Sequence, residues 1–201
     1  VSIQDAGAQL AAPFLDVRDG MTVLDACAAP GGKSTHLMEV ANIQLTVLDN
    51  DQQRLDRVSE NFKRLGIEPF QQVCGDAALT SSWWDGKYFD RILADVPCSA
   101  SGVVGRHPDI KWLRRITDLA TFANMQQNIL DALWPLLKSE GKLLYVTCSV
   151  FFEENGQQVT NFLDKHPDAR LLPIVHNEVN NGQLIPNSSH DGFYYASFYK
   201  I

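Results

Sequence analysis

The sequence has no apolar stretch of the length that a membrane-spanning helix needs, because charged residues, glycine and proline interrupt its hydrophobic runs well before roughly 20 residues. Its N-terminal stretch lacks a basic start and a continuous apolar segment, which argues against a secretory signal. An initiator methionine is also missing. These absences predict a cytoplasmic protein with no membrane segment, and a chain that is an excised fragment or a processed form.

Cysteine is scarce and widely spaced, since Cys27, Cys74, Cys98 and Cys148 form no C-x-x-C pair. This spacing argues against the common zinc sites and against a disulfide framework, and it favours a reducing compartment. The histidines are scattered without the spacing of metal ligands. We therefore expect no metal site.

Basic residues are also fewer than acidic ones. The sequence has 17 lysine and arginine residues and 24 aspartate and glutamate residues, which gives a formal net charge of -7. Proteins that bind nucleic acid usually present a basic surface. A nucleic-acid partner would therefore have to be attracted by a local basic patch or by another domain.

The 201 residues contain no repeat, low-complexity tract or linker, and this length suits one domain. Apolar runs rich in β-branched residues alternate with helical patterns, as in proteins built from βαβ units. The predicted strands are 21–26, 44–49, 70–74, 89–95, 142–148, 170–175 and 192–199. The predicted helices are 33–41, 51–65, 117–138 and 154–165. This order predicts an α/β protein with a seven-stranded, mostly parallel sheet and helices on both faces.

Acids and thiols recur where these strands end. In an open α/β sheet, ligands bind at the carboxyl ends of the strands, because loops and helix N-termini converge there. The residues at that edge are Asp25, Cys27, Asp49, Cys74, Asp76, Asp95, Cys98 and Cys148. A single buried cysteine is often only a packing residue, but four at one edge indicate a functional site.

The stretch LDACAAPGGKST, from Leu24 to Thr35, ends like a nucleotide phosphate loop. In the pattern G-x-x-x-x-G-K-[ST], Gly32 and Lys33 match, but Cys27 stands where the first glycine belongs. The RILAD run could supply a magnesium carboxylate, so a P-loop nucleotide hydrolase is one interpretation. Asp49, about 20 residues after the glycines, instead suits a pair of ribose hydroxyls and would repel phosphate.

Two short loops each carry a thiol beside small polar residues. ADVPCSASG, from Ala94 to Gly102, follows one predicted strand and contains Cys98. LLYVTCSV, from Leu143 to Val150, ends another and contains Cys148. Hydrolysis of a nucleotide requires neither thiol, whereas attack on an electron-poor ring carbon uses one.

With these loops the sequence resembles the RNA cytosine-5 methyltransferases of the Sun (RsmB) type, which use S-adenosylmethionine. The matching stretches follow the family's order over nearly the whole chain: DACAAPGGKS, LDNDQQRL, CGDA, LADVPCSASGVVGRHPDIKW, YVTCSVFFEENGQQV and DGFYYASFYK. The resemblance implies a Rossmann-like class I methyltransferase fold over residues 1–201. It also implies that a helical N-terminal RNA-binding domain is missing from this chain.

The resemblance places the cofactor at the glycine loop and at three acids. It implies that the loop contacts the methionine and ribose parts of S-adenosyl-L-methionine. It implies that Asp49 holds the ribose hydroxyls, that Asp76 lies beside the adenine ring, and that Asp95 faces both the cofactor and the target base. The implied cofactor residues are Cys27, Ala28, Ala29, Pro30, Gly31, Gly32, Lys33, Asp49, Asp76 and Asp95.

The resemblance also implies a catalytic role for each thiol loop. Cys148 is the implied nucleophile that adds to carbon 6 of cytosine, Cys98 assists release of the methylated product, and Asp95 carries or shares a proton at ring nitrogen 3. Cys27 and Cys74 have no such role in the family, so we expect both to be packing residues.

The segment GRHPDIKWLRR, from Gly105 to Arg115, is the one basic patch close to the Cys98 loop. A solvated helix start is the alternative, but the position favours contact with RNA phosphates. The candidate RNA-binding residues are Lys33, Arg106, His107, Lys111, Arg114 and Arg115. The implied substrate is an unpaired cytosine in small-subunit ribosomal RNA, and we expect the protein to act as a monomer.

Two other functions are compatible with parts of the sequence. One is the P-loop nucleotide hydrolase, which Cys27 and Asp49 disfavour. The other is a non-catalytic RNA-binding domain with a methyltransferase fold, which the presence of both Cys98 and Cys148 disfavours.

Overall fold

The computed structural model describes residues 2–67 and 71–201. Within these ranges nine strands form one sheet. The strands are β1 (Thr22–Ala26), β2 (Gln44–Asp49), β3 (Gln71–Cys74), β4 (Phe89–Asp95), β5 (Leu137–Thr147), β6 (Ala169–Leu172), β7 (Val179–Asn180), β8 (Gln183–Leu184) and β9 (Phe193–Lys200). The described helices are α1 (Ala6–Gln9), α2 (Ala11–Leu15), α3 (Gly32–Val40), α4 (Gln52–Leu65), α5 (Ile110–Leu113), α6 (Ile116–Leu133) and α7 (Gly156–Lys165).

Five of the strands are parallel and lie in the order β3-β2-β1-β4-β5. β9 pairs with β5 in the antiparallel direction, β6 and β8 both pair with β9, and β7 pairs with β8. In this register Ala26 pairs with Ala94, and Asp95 pairs with Val146. The loops that follow β1, β4 and β5 therefore lie next to one another at the carboxyl edge of the sheet.

Helices cover the sheet on both faces, and alternate strand residues enter two separate cores. Ile92 of β4 packs in the core that contains residues of α6 and α7. Its neighbour Leu93 packs in the core that contains residues of α1, α2, α3 and α4. A sheet buried on both faces is typical of parallel α/β proteins. The predicted α/β class with helices on both faces is confirmed.

Each predicted strand is present close to its predicted position, although residue 70 lies outside the described residues. The predicted count of seven strands is wrong, because β7 and β8 form an additional hairpin. Each of these strands has two residues, too few for a visible alternation of apolar and polar positions. The signal for the hairpin is its turn, Asn181 and Gly182, whose φ angles of 48° and 84° are those that an Asn-Gly turn favours.

The predicted helix 117–138 is too long. α6 ends at Leu133, a short 3-10 turn covers Trp134–Leu136, and β5 begins at Leu137. Pro135 accounts for this end, since proline offers no N–H to a continuing helix. The predicted helix 154–165 similarly begins later, at Gly156, after a 3-10 turn. Within the described ranges, none of the helices combines the length and the apolar character that a membrane crossing needs.

Candidate active site

The predicted cofactor loop makes a tight turn between β1 and α3, packed against α4. Gly31 has a φ of 95°, and a Cβ atom at this position would lie 3.0 Å from Cγ1 of Val58. Only glycine adopts this conformation without strain and lets the loop lie so close to α4. Nη2 of Arg54, also on α4, donates a hydrogen bond to the carbonyl of Ala29 at 3.2 Å. α4 therefore holds the loop in place.

Backbone N–H groups of this loop are bonded within the protein. Ala28 donates to the carbonyl of Leu48 at 2.9 Å, and Gly31 donates to the carbonyl of Ala28 at 2.7 Å. Ala29 donates to Oδ2 of Asp49 at 3.2 Å. A phosphate-binding loop instead points its N–H groups at the anion. These bonds argue against a triphosphate in this turn.

A cavity of about 370 Å³ lies at the carboxyl ends of β2 and β3, beside the loop. Of the predicted cofactor residues, Cys27, Asp49 and Asp76 line it, whereas residues 28–33 and Asp95 do not. Its far wall comes from α6, which contributes the lining residues Thr121, Asn124, Met125, Asn128 and Ile129. This wall cannot be predicted from the sequence, because α6 is far along the chain and its pattern indicates only a helix that packs on the sheet.

The two acids in the cavity differ in burial. The Asp49 side chain is 1% exposed, and its Oδ1 lies 3.3 Å from Nη1 of Arg54. Asp76 is exposed and accepts a hydrogen bond from the N–H of Ala78 at 2.9 Å. Arg54 is the only cationic side chain among the described lining residues, and its charge is balanced by Asp49. The cavity suits a neutral ligand with hydroxyl or amino groups better than a polyanion.

The two thiols of the predicted active site lie side by side. Cys98 follows β4 and Cys148 follows β5, and their Sγ atoms are 3.3 Å apart. The two loops meet closely at Gly102, whose N–H donates to the carbonyl of Cys148 at 2.8 Å. A Cβ atom on Gly102 would collide with the carbonyl oxygen of Gly192. Glycine is therefore required here for the loops to close around the thiols.

The hydrogen bond between the sulfurs gives the thiols opposite character. Hydrogen bonding to Cys98 lowers the pKa of Cys148. Hydrogen bonding to Cys148, together with burial, raises the pKa of Cys98 well above its ordinary value. These directions make Cys148 the thiol of the pair that ionises first, with Cys98 remaining protonated. Because the thiolate is the nucleophilic form of cysteine, Cys148 is the more reactive of the two.

A lysine and a carboxylate form an ion pair whose charges both act on Cys148. Nζ of Lys33 is 2.6 Å from Oδ2 of Asp95, and these side chains are 14% and 29% exposed. Burial opposes the ammonium charge, but the Asp95 carboxylate outweighs it, so the pKa of Lys33 is raised. The charges of both groups act on Cys148, where Asp95 opposes ionisation and Lys33 favours it. The fold thus brings three of the predicted site residues together.

Asp25 is buried within β1, below the active-site loops. Its Oδ2 accepts a hydrogen bond from the hydroxyl of Ser34 at 2.5 Å, whereas its Oδ1 has no hydrogen-bond partner in the part of the chain that the structure describes. Burial raises the pKa of this carboxyl to about 7. Asp25 is therefore a buried structural carboxyl group whose pKa lies well above the ordinary value of 3.8.

The other two cysteines differ from each other. Cys27 is partly buried and packs against the core, and burial raises the pKa of its thiol. Cys74 is exposed, so the prediction that it is a packing residue is wrong. The reason is that β3 is the edge strand of the sheet and most of its residues are exposed.

The basic segment beside the Cys98 loop is exposed, but two of its arginines are bonded within the protein. Nε of Arg106 lies 2.7 Å from Oδ2 of Asp191. Nε of Arg114 donates to the carbonyl of Ser99 at 3.0 Å, which ties the segment to the thiol loop. The remaining candidate RNA-binding residues of the segment are also exposed: His107, Lys111 and Arg115. Over residues 2–67 and 71–201, no group of three His, Cys, Asp or Glu side chains is arranged to hold a metal ion.

Comparison with known proteins gives consistent relatives. A family model described as 16S rRNA methyltransferase RsmB/F matches residues 12–199. The chain is 50% identical to the ribosomal RNA small subunit methyltransferase B of Vibrio cholerae, over 98% of this chain and 45% of that protein. It is 49% identical to the protein of the same name from Vibrio vulnificus, over 100% of this chain and 47% of that protein. The chain therefore spans about half the length of the curated relatives it matches.

Solved structures share the fold. The crystal structure of PH0851 has a TM-score of 0.93 and 32% identity, over 99% of this chain and 47% of that chain. The crystal structure of NSun6 from Pyrococcus horikoshii with SFG has a TM-score of 0.87 and 28% identity, over 98% of this chain and 52% of that chain. The Rossmann-like methyltransferase fold predicted from the sequence is confirmed. With the family model matching nearly its whole length, the chain belongs to the RsmB/F family of rRNA methyltransferases.

Proposed function

We propose that residues 1–201 form a catalytic domain that transfers a methyl group from S-adenosyl-L-methionine to carbon 5 of a cytosine in RNA. The observation that carries the proposal is the 3.3 Å contact between the sulfurs of Cys98 and Cys148. Two thiols, one polarised by the other, match the needs of a reaction that forms and then breaks a carbon–sulfur bond. The names of the curated relatives support small-subunit ribosomal RNA as the substrate.

The cavity residues fit the adenosine part of this cofactor. The volume of the cavity, about 370 Å³, lies in the range of small-molecule sites. Asp49 would accept hydrogen bonds from the ribose hydroxyls, and Asp76 would lie beside the adenine ring. The same carboxylates would repel a triphosphate, which disfavours the P-loop hydrolase. When bound, S-adenosylmethionine supplies an electrophilic methyl group carried on sulfur.

Carbon 5 of cytosine is a poor nucleophile, and the proposed role of Cys148 is to activate it. The Cys148 thiolate adds to carbon 6, so that a carbon–sulfur bond forms and an electron pair of the ring moves to carbon 5. The ammonium of Lys33 supplies a proton through Asp95 to ring nitrogen 3, which neutralises the charge that develops there. Carbon 5 can then accept the methyl group.

Product release requires the reverse of the addition. Carbon 5 gives its proton to solvent, ring nitrogen 3 returns its proton to the Lys33–Asp95 pair, and the carbon–sulfur bond breaks. The electron pair of that bond goes to the sulfur of Cys148 as the ring double bond reforms. We propose that Cys98 assists this step, because its sulfur lies 3.3 Å from the sulfur that leaves, within reach for its S–H group to donate a hydrogen bond. A thiolate is a better leaving group when it receives a hydrogen bond.

The proposed RNA contacts are the exposed His107, Lys111 and Arg115, together with Arg106, Arg114 and Lys33 at the site. A cytosine must leave its stack to reach the thiols, which costs a few kcal/mol and is least for an unpaired base. An unpaired cytosine in a loop or bulge is therefore the proposed target.

The test is methylation of a set of small-subunit rRNA fragments by the chain with S-adenosylmethionine, followed by bisulfite mapping. The expected result is methylcytosine at one unpaired position, with the methyl group on carbon 5. Methyl transfer to another base or another atom, or none with any fragment, would contradict the proposal.

A further inference from the structure

A buried carboxylate joins the two thiol loops. Glu154, in the short turn before α7, is 0% exposed. Its Oε1 accepts a hydrogen bond from the N–H of Ser99 at 2.8 Å, and its Oε2 accepts one from the hydroxyl of Ser99 at 2.5 Å. Oε2 also accepts a hydrogen bond from the hydroxyl of Ser149 at 2.5 Å. Because Ser99 follows Cys98 and Ser149 follows Cys148, one carboxylate is bonded to the neighbour of each thiol.

Buried polar side chains hold this carboxylate from the other side. Nε2 of Gln126, on α6, donates to Oε1 of Glu154 at 3.1 Å and to the carbonyl of Pro97 at 2.9 Å. The hydroxyl of Tyr145, on β5, donates to the carbonyl of Glu154 at 2.6 Å. Gln126 and Tyr145 are both 0% exposed. Gln126 therefore fixes the carboxylate, and Tyr145 fixes the backbone of the turn that carries it.

We propose that Glu154 is a positioning residue, which locks the Cys98 and Cys148 loops together and thereby maintains the hydrogen bond between the two sulfurs. The geometric part of this proposal is independent of the reaction. Its importance for catalysis rests on the proposed methyltransferase function.

The chemistry of the group explains why a carboxylate is needed. An ionised carboxylate only accepts hydrogen bonds, so it can accept one from the hydroxyl of Ser99 and one from the hydroxyl of Ser149 at the same time. An amide in its place would present two N–H groups to the same hydroxyls, and at least one serine would have to turn away. Glutamine is therefore a change of minimal size that removes the link between the loops.

The charge of Glu154 also acts on the thiols. After the hydrogen bond to Cys148 and burial, this charge is a further influence that raises the pKa of Cys98. It therefore favours the protonated form of Cys98, which is able to donate a hydrogen bond to the sulfur of Cys148. The charged groups that act on Cys148 from other elements are Asp95 on β4, Lys33 on α3 and Arg106 in the basic segment, and none of them is hydrogen-bonded to Glu154 in the described part of the chain.

The test measures alkylation of each thiol by iodoacetamide as the pH is varied, with peptide mass spectrometry and without RNA or cofactor. In Glu154→Gln we expect the midpoint of the alkylation rate of Cys148 against pH to move to higher pH. The alkylation rate of Cys148 near neutral pH should fall about tenfold. At a pH where the thiol is ionised in both proteins, the rates should converge. A purely structural role would leave the midpoint unchanged.

The matched control is Glu153→Gln, which changes the charge equally at the exposed neighbouring position and should keep the parent profile. If Glu154→Gln does not fold, Ser149→Ala takes its place, because it removes one of the two links and leaves the carboxylate. The same shift is expected. An unchanged Cys148 profile in a folded Glu154→Gln or Ser149→Ala protein would overturn the proposal.

Turnover separates this proposal from the methyltransferase function itself. If the parent chain methylates RNA, Glu154→Gln should lower kcat about tenfold and leave the KM for S-adenosylmethionine unchanged. If the parent chain does not methylate RNA, the proposed function fails, whereas the alkylation profile still decides the role of Glu154.

Discussion

The ammonium group of Lys33 lies 2.6 Å from the carboxylate of Asp95, although 62 positions separate the two residues in the chain. Lys33 is on the helix that follows the glycine loop, and Asp95 ends β4. The pair therefore connects the helix after the glycine loop to the strand that precedes the Cys98 loop. Its two charges act in opposite directions on Cys148, so that the lysine is needed to offset the carboxylate.

Replacing Lys33 by methionine should impair catalysis more than folding. Without the ammonium, the charge of Asp95 is no longer offset and disfavours the thiolate of Cys148. Because the thiolate is the proposed nucleophile, we expect kcat to fall about a hundredfold. Lys33→Arg, which keeps the charge, should retain more activity. Single-turnover methyl transfer measures the effect, and the exposed Lys63 at the far end of α4 gives the control Lys63→Met. Full activity in Lys33→Met would show that the pair is dispensable.

Replacing each thiol by alanine should have a different effect on the reaction with RNA. Cys148→Ala should abolish methylation, because no other group activates the ring. Cys98→Ala should allow a covalent RNA–protein adduct to accumulate, because release of Cys148 loses its S–H donor. Denaturing gel electrophoresis with labelled RNA detects the adduct. Cys74→Ala, at the exposed thiol on β3, serves as control, and turnover in Cys148→Ala would refute the nucleophile assignment.

Asp25 should make the protein less stable as the pH rises. Burial raises the pKa of its carboxyl from 3.8 to about 7, so the folded state binds a proton that the unfolded state has already lost. Stability is therefore lost progressively between these two values and stays low above the higher one.

The expected loss from this group between about pH 5 and about pH 8 is about 2.5 kcal/mol. Denaturant unfolding at both pH values measures it, and Asp25→Asn should remove this part of the pH dependence. Asp164→Asn, at an exposed position, should retain it. An equal pH dependence in the parent and in Asp25→Asn would contradict the raised pKa.

Ligand binding should distinguish a nucleoside from a nucleotide phosphate. S-adenosylmethionine at about 100 times its Kd should stabilise the fold by about 2.7 kcal/mol, which raises the Tm. ATP with Mg²⁺ should have no such effect, because loop N–H groups are bonded internally and carboxylates line the cavity. Asp76→Ala should reduce the shift by S-adenosylmethionine. Stabilisation by ATP with Mg²⁺ alone would favour the P-loop hydrolase.

The basic segment should contribute to RNA binding unevenly. Arg115→Ala and Lys111→Ala should each weaken binding and reduce the slope of log affinity against log salt by about 0.7 for a single strand. Arg114→Ala should also lower kcat, because Arg114 is bonded to the Cys98 loop through Ser99. Binding measured over a salt series, with Lys63→Ala as the control, checks both effects. An unchanged salt slope in Arg115→Ala and Lys111→Ala would assign this segment to the solvated surface.

The sequence by itself determined the α/β class, most of the strands and the family resemblance, because these depend on patterns within short stretches. The helix that became α4, for example, shows its buried residues Leu55, Val58 and Phe62 at helical spacing, and Gly66 ends it. The thiol motifs are equally local, since each lies within a few residues of the strand that precedes it.

Only the tertiary structure decided which of these groups touch. The contact between Cys98 and Cys148 joins residues that are 50 positions apart, and it depends on the register of β4 and β5. Glu154 lies in one of the stretches that match the family, YVTCSVFFEENGQQV, but the stretch does not reveal its partners, the hydroxyls of Ser99 and Ser149. Local patterns reveal which face of a segment is buried, but hydrogen-bond partners, pKa values and cavity walls depend on distances between segments that only the folded chain brings together.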